Sequence, residues 1–152
     1  MKFHGTDNQI VELIIDNYQF PEIEDGDWDS NWLNIFLRVE SKLGKWQTFD
    51  PSLTTWEFQE IIDWFEELSK NQKPKFSLLT FTEPNLTFEL LNHPAEIIKS
   101  IRINFELELK PKSAIDEKKY FVDILADNEA INQIIKGLKE EINNYPERKP
   151  SA

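Results

Sequence analysis

The 152-residue chain has no cysteine, which removes disulfides, thiol nucleophiles and thiolate metal sites together. It has only two histidines, His4 and His93, and no Gly-x-Ser-x-Gly segment. A nucleophile, base and orienter built around imidazole therefore has little to draw on. His93 stands in Leu91-Asn92-His93-Pro94, a loop setting where an exposed histidine needs no functional account. The four glycines (Gly5, Gly26, Gly44, Gly137) are far apart, which excludes a glycine-rich phosphate cradle or a dinucleotide fingerprint. No histidine pair has zinc-ligand spacing. No apolar run approaches the ~18 residues of a transmembrane helix. The first residues, Met1-Lys2-Phe3-His4-Gly5, carry no signal-peptide core. The expectation is a cytoplasmic protein without membrane contact, metal or cofactor.

What is present is core-forming material and negative charge. Hydrophobic residues make up 39% of the chain, with 11 Phe and 5 Trp. A chain of this length buries about two-thirds of its unfolded surface in one domain. The net charge of −11 is lopsided: residues 1–70 hold 15 acidic and 5 basic side chains, and residues 71–152 hold 13 and 12. An acidic surface attracts basic partners and repels phosphate, so no nucleic-acid partner is expected.

Periodicity fixes the class. Residues 9–20 alternate Val11, Leu13 and Ile15 against polar neighbours. Residues 31–40 alternate cleanly, with Leu33, Ile35, Leu37 and Val39 on one face. Trp32, Phe36 and Arg38 occupy the other, which implies a strand partly covered on both sides. Lys42-Leu43-Gly44-Lys45 reads as a hairpin turn into a strand at 46–49, which Asp50-Pro51-Ser52 should end. Thr54-Thr55-Trp56-Glu57 has the spacing of a capping box, with Leu53 and Phe58 placed for a hydrophobic staple. Further strands are expected at 76–81, 86–91, 100–110 and 119–125, and Asp127 caps a second helix. Strands grouped around two helices, without regular β-α-β alternation, predict an α+β fold. The expected form is a mainly antiparallel sheet or curled sandwich of about seven strands, with helices at about 54–70 and 127–145. Residues 1–145 read as one domain and 146–152 as a flexible C-terminal tail.

The densest chemistry lies in Ile23-Glu24-Asp25-Gly26-Asp27-Trp28-Asp29-Ser30-Asn31-Trp32-Leu33. With Asp25 as the first ligand, Asp27 and Asp29 fill the next two places of an EF-hand loop. The turn glycine is then Ser30, and the closing glutamate is Phe36 inside a strand, so this calcium motif fails. All five tryptophans (Trp28, Trp32, Trp46, Trp56, Trp64) fall between residues 28 and 64. Trp32, Trp46 and Trp64 suit a core. Trp28, flanked by Asp27 and Asp29, suits an exposed aromatic anchor of the kind that forms binding hot spots. Asp29 and Asn31 suit a turn that launches the following strand.

Trp28-Asp29-Ser30-Asn31-Trp32-Leu33, with its acidic lead-in and alternating strand, resembles the W-D-x-N-W-L segment of the WapI-type immunity proteins of bacterial polymorphic and contact-dependent toxin systems. Trp46 through the Thr54-Thr55-Trp56-Glu57 helix start is similar to that group, as is the later order of strands into a final helix. The resemblance implies a non-enzymatic cytoplasmic antitoxin that binds the C-terminal domain of a secreted toxin, often a nuclease. It carries no set of binding residues. Charge and exposure nominate Glu22, Glu24, Asp25, Asp27, Trp28 and Asp29 as the partner-binding residues. The alternative is a divalent-cation site or carboxylate-based hydrolase using Asp25, Asp27 and Asp29.

Overall fold

The computed structural model describes residues 1–150. Two four-stranded antiparallel sheets and two helices share one hydrophobic core. The first sheet, in order β1-β2-β3-β4, comprises β1 (Lys2–His4), β2 (Ile10–Tyr18), β3 (Trp32–Ser41) and β4 (Gly44–Thr54). Helix α1 (Thr55–Ser69) follows directly. The second sheet, in order β5-β6-β7-β8, comprises β5 (Leu78–Leu79), β6 (Leu86–Leu90), β7 (Lys99–Phe105) and β8 (Tyr120–Ala126). Helix α2 (Asn128–Ile142) closes the fold. The α+β class and the two helices are as the sequence implies, with eight strands in place of about seven.

The alternating positions of β3 point inward as expected: Leu33, Ile35, Leu37 and Val39 are buried. On the opposite face Ile14, Phe36 and Phe49 stand in register across three strands. Phe49 is 58% exposed and Ile14 36%, so this row is shielded chiefly by its own cross-strand neighbours. The sheets meet through aromatic rings. Phe3 of β1 lies 5.8 Å from Phe88 of β6 and 6.1 Å from Phe65 of α1. Trp46 of β4 packs edge-on against Phe105 and Tyr120 of the second sheet.

Four boundaries differ from the sequence reading, each for a tertiary reason. β1 was too short to show a period; it pairs with β2 through a turn in which Asp7 and Asn8 take positive φ. β4 runs on through Asp50-Pro51-Ser52 to Thr54, because it is an edge strand, where proline's missing N–H is tolerated. The strand expected at 76–81 is only Leu78–Leu79. The one expected at 100–110 stops at Phe105, because its partners end there, with Leu86 and Tyr120 both opposite Phe105. Leu107, at φ 48, then begins a 3-10 turn that buries Leu109.

Candidate functional site

The acidic segment is a loop between β2 and β3 that closes on a 3-10 turn at Asp29–Asn31. Asp27 builds that turn. Its Oδ1 accepts from the Ser30 amide at 2.8 Å, and its carbonyl accepts from Ser30 Oγ and Asn31 Nδ2. Asn31, buried, ties the loop to two distant elements. Its Oδ1 accepts from Thr55 Oγ1 at the start of α1 and from the Arg148 amide, both at 2.8 Å, while Nδ2 also donates to the Arg148 carbonyl.

Residues from 146 onward, expected to form a flexible tail, supply the other half of this junction. The Tyr18 hydroxyl donates to the Pro146 carbonyl at 2.6 Å. The Arg148 guanidinium sits 3.6 Å from the Tyr18 ring centroid and donates to the carbonyls of Phe20, Pro21 and Ile23. Gly26 is needed where the two segments cross, since a Cβ there would meet the Lys149 carbonyl carbon at 2.0 Å. Residues 151 and 152 lie outside the described residues.

The nominated residues sit together on the outside of this loop. Glu22, Glu24, Asp25, Asp27 and Asp29 are exposed, and among the described residues none forms an ion pair. Trp28 is 54% exposed, its ring edge-on to Trp56 of α1 with centroids 4.8 Å apart. Trp46 and Trp64 are buried and their indoles donate to the Leu109 and Phe76 carbonyls, while Trp32 is half-buried on the outer face of β3. Asn31 has the turn-forming role its position suggested; the Asp29 side chain has no hydrogen-bond partner among the described residues. No group of three or more His, Cys, Asp or Glu side chains is disposed to hold a metal ion among the described residues, which leaves Asp25, Asp27 and Asp29 without a cation geometry.

The carboxylates of α1 extend this surface, a connection the sequence alone does not make. Trp56, Glu60, Asp63 and Glu67 recur at intervals of four, three and four, one stripe of a 3.6-residue helix. That spacing was the available signal. Because Trp28 stacks on Trp56, the stripe continues the loop surface along the helix. Partial desolvation shifts the exposed Glu60 carboxyl upward from its ordinary value, and the charges of Glu57 and Asp63 raise it further against a smaller lowering by Lys75. A second carboxyl, Asp50 within β4, is raised chiefly by burial; it accepts from Ser52 Oγ at 3.1 Å and Asn85 Nδ2 at 3.2 Å.

The fold defines a small two-sheet α+β domain, with an exposed Trp28 and five exposed carboxylates on its β2–β3 loop. The profile of the immunity protein WapI-like family matches residues 2–146, and the chain belongs to that family. It is thus an immunity protein directed against a toxin. No curated protein and no solved structure matches the chain.

Proposed function

We propose that the chain neutralises its toxin as a non-enzymatic cytoplasmic binding protein, using Glu22, Glu24, Asp25, Asp27, Trp28 and Asp29. The partner is the C-terminal domain of a polymorphic toxin, a basic nuclease whose phosphate-binding surface the acidic loop covers. The observation that carries this reading is a solvent-facing Trp28, flanked by the exposed Asp27 and Asp29, on a loop anchored through Asn31. An aromatic anchor held in place loses little entropy on binding, and surrounding charge steers a basic partner into encounter.

The test is binding and protection with the toxin domain encoded beside this chain's gene. The wild-type chain is expected to form a complex and to rescue cells expressing that domain; failure of both rejects the reading. Asp25→Asn, Asp27→Asn and Asp29→Asn combined should slow association about tenfold at low salt and flatten its salt dependence. Asparagine at 27 keeps the oxygen that receives the Ser30 amide, so the loop shape survives. Trp28→Ala should act mainly on dissociation, accelerating it by about tenfold or more.

A further inference from the structure

A groove opens between the exposed side of α1 and the segment after it, about 340 Å³ in volume, with Trp64, Phe76 and Leu78 in its walls and Glu60, Asp63 and Glu67 along it. The wall is fixed in place, since the Trp64 indole donates to the Phe76 carbonyl at 2.8 Å. Phe76 is nevertheless 56% exposed and Leu78 47%, so the apolar side of the groove is uncovered. The three carboxylates form no ion pair among the described residues, and Lys75 is the one cation among the groove's lining residues. The Lys75 ammonium stands 5.4 Å from the Phe76 ring centroid, so the site already shows an ammonium over that ring.

We infer that this groove receives a lysine or arginine side chain of the toxin, its stem against Phe76 and Leu78 and its charged head among Glu60, Asp63 and Glu67. The occupant follows from complementarity. Long basic side chains join an apolar stem to a cationic head, and the groove offers apolar walls below three carboxylates. A bare metal ion has no use for such walls, and no converging ligand set is present among the described residues. Partial desolvation and neighbouring negative charge both disfavour ionised Glu60, a cost that an incoming cation relieves. The groove also continues the loop surface: Glu60 and Asp63 border the depression that contains Trp56, on which Trp28 stacks. The inference rests on the toxin-binding reading above.

Calorimetry with the neighbouring-gene toxin domain separates the two. Glu60→Gln, Asp63→Asn and Glu67→Gln combined should weaken binding about tenfold and reduce its salt dependence. Phe76→Ala should weaken it with the salt dependence kept. In the wild-type complex the Trp64 indole N–H resonance should shift, a readout that needs no variant to fold. If the wild-type chain binds while both groove variants bind equally well and the Trp64 resonance stays fixed, the groove inference is overturned and the loop reading stands. If the wild-type chain does not bind that domain, both fall.

Discussion

Asn31 shows how one side chain organises a surface it does not belong to. It uses both ends of its amide, Nδ2 donating to the loop and to the Arg148 carbonyl and Oδ1 accepting from α1 and from the Arg148 amide, and it is 1% exposed. Truncation would leave the Thr55 hydroxyl and the Arg148 peptide short of partners in a buried place. Asn31→Ala should therefore cost about 3 kcal/mol in a urea titration. Asp50 makes a prediction about pH. Its carboxyl is raised, so the folded chain takes up a proton more readily than the unfolded chain. The penalty for its charge is fully present above the raised value and fades as pH falls through it. Asp50→Asn should remove that component: relative to the variant, wild type should gain stability as pH falls from about 6 to about 4. Melting temperatures of both proteins across that range check the sign. Of these two roles, the turn at Asn31 was legible because Asp27 and Ser30 are sequence neighbours. Its link to Arg148 was not, because Arg148 is 117 positions further along the chain.

At the scale of elements, local chemistry was the readable part. The α1 start shows both halves of its capping box, Thr54 Oγ1 accepting from the Glu57 amide at 3.2 Å and Glu57 Oε2 from the Thr54 amide at 2.9 Å. Glu57 does more than the sequence indicated, since Oε1 also accepts from the Thr82 amide at 2.8 Å and joins α1 to the loop before β6. Glu57→Ala should therefore cost about 2–3 kcal/mol, above an ordinary cap deletion, while Glu57→Gln should cost less by keeping an acceptor. Chemical denaturation of the pair orders them. The ends of β4 and β7 were not readable in the same way. Pro51 reads as a stop until β4 is known to be an edge, and the alternation past Phe105 continues where no partner strand does.

At the scale of the whole molecule, eight of the 15 carboxylates of residues 1–70 fall in two neighbouring stretches, five in the loop and three in the α1 stripe. Composition signalled the excess; the Trp28–Trp56 contact and the Thr55–Asn31 hydrogen bond join loop to helix. The same loop depends on the far end of the chain through Arg148. Arg148→Ala should leave the core intact and loosen residues 20–31, read as faster amide exchange there with little change in β7. Loosening the loop should also lower toxin affinity, because the order it loses must be restored on binding.

The Arg148 clamp also orders events in time. Synthesis runs 117 residues past Asn31 before its clamping partner exists, and at ~5–20 residues/s this is roughly 6–25 s. Until then the nascent loop lacks the peptide that holds it, although β2, β3 and β4, whose pairings are local, can already form. If toxin binding uses this loop as proposed, a growing chain is expected to gain its protective capacity only once Arg148 has been made. On the proposed reading, only copies already synthesised past Arg148 present the clamped loop to an incoming toxin.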